Sequence, residues 1–240
     1  MKVYLVRHGE SRQNVDDTEN HPYRPEVEPY ENWTYNDWSL TKHGERQADL
    51  VGRRLASVDF DAIMCGPLHR QIATAYGIIR HQKRCKKLEI INDLLEKGIH
   101  SYAGMPIELL RSFFPDMEIV PCPNPTPTGG KFTYSLEEMY DMVEMRERGR
   151  RIEKYLTERF PDNATVLLVS SGDFMGRSLI PCLMRLPDQV IDICTTFSCH
   201  NASLSRIDLA SDGRRSSCKL LNDTAHLYVP EEDIPLLQNS

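Results

Sequence analysis

Short apolar runs alternate along this chain with segments whose apolar positions recur every three or four residues. KVYLV (2–6), DFDAIMC (59–65), LEIIN (88–92) and TVLLVS (165–170) read as buried strands. LTKHGERQADLVGRRLASV (40–58) places Ala48, Val51, Gly52 and Leu55 on one helical face, with Thr41 positioned as the N-cap. GPLHRQIATAYGIIRHQ (66–82) predicts a second helix, with Pro67 in its first turn. SLEEMYDMVEMRERGRRIEKYLTERF (135–160) predicts a long amphipathic helix that opens on a Ser135 and Glu138 capping box. A further helix is expected in FMGRSLIPCLM (174–184), and two closing strands in ASLSRIDL (202–209) and SCKLL (217–221).

Strand and helix therefore alternate through most of the sequence. That order predicts an α/β fold, a three-layer sandwich with a mostly parallel central sheet and helices on both faces. One domain over 1–240 accommodates it. Two stretches break the rhythm. Residues 16–38 are polar, proline-bearing and aromatic without period, and read as a long loop. Residues from about 105 to 133 hold a short helix and then a proline-rich run that cannot be a central strand, and read as an insertion over the active-site end.

Charge removes several classes of partner. The chain carries 29 Lys and Arg against 35 Asp and Glu, a net charge of -6, with no long basic block, so neither nucleic acid nor a membrane surface is an expected partner. HQKRCKK (81–87) is expected instead to close a helix at its negative dipole end. The opening apolar run is too short for a secretory core, and no stretch is long enough to span a bilayer, so the expected location is cytoplasmic. Seven scattered cysteines without CxxC or zinc-ligand spacing predict free thiols, no metal and no cofactor. No sequence feature specifies an oligomer.

RHGES (7–11), at the end of the first strand, carries the strongest chemical signal. In open α/β sheets ligands bind outside the carboxyl ends of the strands. An arginine there needs a carboxylate or a phosphate, and a histidine can attack phosphorus while guanidinium groups neutralise the oxygens. Gly9 leaves room for backbone to approach a ligand.

Read in order, LVRHGES..N (5–14), SLT..G..QA (39–48), PL.R...TA (67–75), LLEKG (94–98), N.S (201–203) and LN...HL (221–227) resemble the histidine phosphatase superfamily, the phosphoglycerate-mutase-like proteins. The resemblance implies that His8 is the phosphorylated nucleophile, that Arg7 and Arg70 bind phosphate, and that Glu96 protonates the leaving oxygen. It places Asn14 as a further phosphate ligand, with Ser11 and Gly172 also at the substrate. His226 is expected to be a structural hydrogen-bonding residue near the site, and His43, His69 and His81 to be exposed on helices.

The sequence departs from the family in VLLVSSGDFM (166–175). The family expects a second histidine where Ser171 stands, and serines where Cys65 and Gly66 stand. A serine can donate to a phosphate oxygen but is shorter and neutral, so weakened turnover is expected. Asp173, where the family more often has a small residue, is expected to cap the next helix. The family's mutases carry ERHYG after the acid, whereas this chain reads EKGIH (96–100). The resulting expectation is a metal-independent phosphomonoester hydrolase acting on a small phosphorylated molecule, or binding inorganic phosphate. Mutase-type phosphoryl transfer and a catalytically impaired phospholigand-binding or scaffold protein are the alternatives.

Overall fold

The computed structural model describes residues 1–15, 39–96, 107–121, 142–193, 197–210, 212 and 216–228. The expected loop at 16–38, the capping box at Ser135 and Glu138, and the proline-rich run beyond residue 121 lie outside the described residues. Strands β1 (Lys2–Arg7), β2 (Ala62–Cys65), β3 (Lys87–Ile90), β4 (Glu118–Pro121), β5 (Thr165–Ser170), β6 (Leu204–Asp208) and β7 (Ser217–Asp223) join in one sheet of order β4-β3-β2-β5-β1-β6-β7. Every neighbouring pair from β4 through β1 is parallel, while β6 runs antiparallel to β1 and β7 antiparallel to β6. The expected mostly parallel α/β sandwich is the observed architecture.

The central strands are buried on both faces, which is why they read as continuous apolar runs. Alternate residues divide between two cores. Val6, Ile63, Cys65, Leu167 and Val169 face the layer of α1 (Lys42–Leu55) and α2 (His69–Ile79), whose Val51, Leu55, Ile72 and Ile78 join the same cluster. Val3, Leu5, Met64, Val166 and Leu168 face the other layer, where α4 (Met142–Arg159) contributes Met145, Ile152 and Leu156. Most of these side chains are fully buried, and each stabilises the fold by about 1.5–3 kcal/mol relative to an exposed position.

Local signals behave as their chemistry dictates, with three corrections. Thr41 caps α1 by accepting from Gly44 N at 3.0 Å, and Lys86 Nζ donates to Ile79 O at 3.0 Å, closing the end of α2 with positive charge. Pro67 stands one residue before the N-cap, Leu68, not inside the first turn. Residues 107–121 form α3 (Ile107–Phe113) and the edge strand β4, so this half of the expected insertion belongs to the main sheet. A proline is tolerated at the end of an edge strand. The late helix runs as α5 (Gly172–Phe174), a π-helical segment (Met175–Leu179) and α6 (Ile180–Leu183). Pro181, with no N–H to give residue 177, follows the widened turn. A short α7 (Asp188–Ile193) comes after it.

His69 is a further correction. It is not exposed but packs against Phe113 and Phe114, with ring centroids 6.0 and 5.7 Å away, and burial pulls its pKa down to about 4. A histidine depressed in the folded state stabilises fully above its unfolded value and loses that contribution as pH falls toward its folded one. The window is therefore pH 6.5 down to about 4, and the group's share is about 3 kcal/mol. Urea melts of the wild type and of His69→Leu across that range are expected to show a shallower pH dependence in the variant. Equal slopes would remove His69 from the acid sensitivity.

Candidate active site

The parallel strands β1, β2 and β5 end together, and the residues just past them meet. Arg7 pairs in register with Ser170, and His8 N donates to Ser170 O at 2.9 Å, so the RHGES turn lies beside the Ser170–Ser171 turn. After β3, a short 3-10 turn (Asn92–Leu94) brings Glu96 to the same end. Each motif found in the sequence has a physical function in holding this cluster.

From α1, Gln47 Oε1 accepts from Glu10 N at 2.7 Å, and Thr41 Oγ1 donates to Glu10 Oε1 at 2.6 Å. Gly44 sits against the same backbone, and a Cβ there would overlap Glu10 O. From α2, Thr74 Oγ1 accepts from Gly9 N at 2.9 Å and donates to Arg70 O at 2.7 Å. Asn201 Nδ2 donates to His8 O at 3.1 Å and to Asn14 Oδ1 at 3.2 Å. Ala202, held at a left-handed φ of 54°, gives its N–H to the Arg7 and His8 carbonyls, and His226 Nε2 donates to Ala202 O at 3.0 Å. Such strain, roughly 1–3 kcal/mol, persists only where the surroundings over-determine it.

His8 is 3 % exposed, and its ring is fixed at both nitrogens. Nδ1 lies 2.7 Å from Gly9 O and therefore carries the proton, since a carbonyl can only accept. Nε2 lies 3.2 Å from Arg70 Nε, which donates to it. The Nε2 lone pair is thus the reactive one. Burial, then Arg70, then Arg7 hold the imidazole well below the ordinary histidine range, against the bond to Gly9. His8 is neutral at physiological pH.

Arg7 is buried, donates from Nη1 to Cys199 O at 2.6 Å, and has no hydrogen-bond partner at Nε among the described residues. Burial pulls its guanidinium down from the usual arginine range, opposed by Glu96, Cys199 and Asp173. Gly172 lies against it, and a Cβ there would be 3.0 Å from Arg7 Nε and 3.1 Å from Cζ. Glu96 Oε1 accepts from Phe174 N at 3.0 Å, so Glu96 takes the capping position at the start of α5. Asp173 does not cap; it is half-exposed and pairs with Arg177 at 3.0 Å, the i,i+4 partner one turn on.

Ser11 donates from Oγ to Asn14 Oδ1 at 3.0 Å, and Ser11 N donates to the same oxygen at 3.0 Å. With Asn201 also on that oxygen, the Asn14 amide is turned so that its NH2 is the outward group. Ser171 is fully buried and accepts from Gln71 Nε2 at 2.9 Å. The fold thus brings Arg7, His8, Asn14, Arg70, Glu96, Ser171 and Gly172 to one end of the sheet. Sequence reading did not single out Gln71, Thr74, Gln47, Glu10 or the buried Arg148, which donates from Nη1 to Leu95 O at 2.9 Å and stacks 4.5 Å over Phe174. Glu10, Thr74 and Gln47 stand inside the quoted motifs and were visible there; Gln71 and Arg148 have no pattern of their own.

His81 pairs with Asp49 at 2.7 Å and is half-buried, away from this cluster. Among the described residues, no group of three His, Cys, Asp or Glu side chains could hold a metal ion, and no helix is long and apolar enough to cross a membrane. Cys65, Cys85, Cys182, Cys199 and Cys218 are unpaired thiols.

Comparison with known proteins finds similarity over nearly the whole chain. A probable phosphoglycerate mutase, GpmB, of Yersinia enterocolitica is 30% identical over 241 aligned positions, spanning 97% of this chain and 98% of that protein. The fructose-2,6-bisphosphatase TIGAR of Xenopus tropicalis is 31% identical over 129 residues, 53% of this chain, which matches only 42% of that relative's length. The crystal structure of phosphoserine phosphatase from Entamoeba histolytica, in complex with 3-phosphoglyceric acid, superposes with a TM-score of 0.58 at 20% identity, covering 95% of this chain and 99% of that one. The profile of the histidine phosphatase superfamily (branch 1) matches residues 3–224. With the RHGES turn at the carboxyl end of β1 and its partners gathered round it, the chain belongs to that superfamily.

Proposed function

We propose that this chain is a phosphomonoester hydrolase whose nucleophile is His8 Nε2. The observation that carries the reading is the state of that ring. It is neutral, with its lone pair on Nε2, and it sits between two buried guanidinium groups, one with an N–H unpartnered among the described residues. Buried positive charge with an unspent donor stabilises a dianion far more than water would. An arriving phosphate takes the Arg70 N–H away from His8 and frees the lone pair. Asn14 offers its NH2, which Ser11 and Asn201 hold outward, so Ser11 acts by orienting Asn14. Gly172 lets the arginine and the helix start stay close together.

In the first half-reaction Nε2 bonds to phosphorus and the P–O bond to the leaving group breaks. Glu96 gives a proton to the departing oxygen. In the second, water attacks the phosphohistidine, the P–N bond breaks, and Glu96 takes the water proton. Inorganic phosphate leaves and His8 returns neutral. The arginines supply the charge, so the scheme needs no metal. Ser171 stands where the family expects its second histidine. It can donate one neutral hydrogen bond, which removes a preorganised cationic donor and lowers turnover by about 10²- to 10³-fold. The substrate class is a small phosphorylated metabolite, in keeping with the relatives named above.

Ser171 also favours a second reading, a protein that binds phosphorylated ligands with little or no turnover. Mutase-type transfer is a third, and product analysis with phosphorylated sugar acids separates it from hydrolysis. On the hydrolase reading, incubation with para-nitrophenyl phosphate yields p-nitrophenol and an acid-labile phosphate on the chain, both abolished in His8→Ala. Acid-labile phosphate on any other residue would sink the nucleophile assignment, and no turnover together with tight phosphate binding would establish the binder.

Leaving-group dependence tests Glu96. Glu96→Gln is expected to slow hydrolysis of an alkyl phosphate, whose alkoxide needs a proton, by about 10²-fold or more, and to slow the para-nitrophenyl ester much less. Equal slowing of both substrates would deny Glu96 the role of general acid.

A further inference from the structure

The Gln71 side-chain amide makes three hydrogen bonds and has both of its protons spent. Nε2 donates to Ser171 Oγ at 2.9 Å and to Leu94 O at 3.0 Å, while Oε1 accepts from Leu68 N at 3.1 Å. Gln71 and Ser171 are both fully buried. Gly66 makes the room, because a Cβ there would overlap Gln71 Oε1 and stand 2.6 Å from Leu94 O. Gly66 follows β2, Gln71 opens α2 and Ser171 follows β5, so three elements meet in one packed unit. Two of the three residues are positions where the sequence departs from its family.

The polarity of the unit sets its consequence. An amide N–H only donates, so Ser171 Oγ is the acceptor in the Gln71 bond and its own proton is left to point elsewhere. The neighbouring Ser170 shows the other arrangement: its Oγ donates to Leu94 O at 2.8 Å, spending the proton on backbone. Ser171 is kept from doing the same because Gln71 occupies that side. The next residue, Gly172, lies against the Arg7 guanidinium.

We infer that Gln71 is a positioning residue, which fixes the Ser171 rotor so that its O–H donates to the transferring phosphoryl group. Two uncharged side chains, an amide braced behind a hydroxyl, take the place of the single imidazole that the family uses at the end of this strand. The inference rests on the hydrolase reading above and extends it to a residue outside the phosphate's own contacts. The alternative is that Gln71 only ties α2 to the Leu94 backbone, which would be a structural role.

A double-mutant cycle separates the two. Gln71→Met and Ser171→Ala are made singly and together in the full chain, and kcat and KM for para-nitrophenyl phosphate are measured beside thermal melts. Ser171→Ala is expected to lower kcat by about 10- to 100-fold with KM nearly unchanged. Gln71→Met is expected to lower kcat when Ser171 is present, and by less than about twofold when it is already alanine. The same factor in both backgrounds would overturn the inference, as would a Ser171→Ala protein with wild-type kcat. Gln71→Glu, which keeps the shape and the Oε1 acceptor but turns the donor facing Ser171 into an acceptor, is read in the same cycle should the methionine variant fail to fold. The cycle is repeated on Kd for orthovanadate, which mimics the transferring phosphoryl group and needs no turnover. Coupled losses there support the pairing and independent losses overturn it, even in a chain that hydrolyses nothing, a result that defeats only the hydrolase reading.

Discussion

A buried imidazole beside two buried arginines is a costly arrangement unless the ring stays neutral, and the structure is organised to keep it so. His8 gives its Nδ1 proton to the carbonyl of the next residue, and its Nε2 lone pair faces Arg70. That single bond to Gly9 O selects the tautomer. It also requires the Gly9–Glu10 peptide that carries this carbonyl to be held still, which Gln47 does from α1 through Glu10 N, while Thr74 holds Gly9 N from α2 and Thr41 holds the Glu10 side chain. The helices that cover one face of the sheet are therefore also the clamps of the His8 turn, the proposed nucleophile. Packing and chemistry share the same residues, with Gly44 small enough to let α1 approach.

The proposed phosphate site inherits its charge from the same constraint. Arg7 has lost its water to burial and has one backbone acceptor, and Gly172 lies against its guanidinium instead of a side chain. Glu96 is held by the first turn of α5, close enough to act on Arg7 electrostatically. On the proposed function, an anion entering here meets donors already in place, which leaves little reorganisation for the reaction.

Much of this was legible in the sequence, for physical reasons that differ from one residue to the next. The strands were visible because both faces of the sheet are buried, leaving unbroken apolar runs, and Thr41 was visible because a helix start needs a side-chain acceptor. His8, Arg7, Arg70 and Glu96 were visible through motif order. β4 was hidden because an edge strand ending in proline looks like loop, and the π-helical segment because its residues have ordinary helical spacing. Asp173 misled because N-cap chemistry is judged from neighbours in sequence, whereas the capping carboxylate, Glu96, arrives from another strand. His69 misled in the same way, since its aromatic cover comes from α3. Gln71 carried no signal at all: its meaning lies in Ser171, one hundred residues away in the chain.

The departure at Ser171 changes character once its neighbours are known. In the sequence it stands as an isolated loss of an imidazole. In the fold it is braced by Gln71, which in turn needs Gly66, so the three form one packed unit beside the proposed site. All of it depends on the tautomer of His8. The most direct test is nitrogen-15 NMR of selectively labelled histidine in the free protein at neutral pH, with His8 assigned by His8→Asn. The account predicts a neutral ring protonated at Nδ1 with Nε2 bare, and an Nε2-protonated tautomer or an imidazolium at that pH would contradict it.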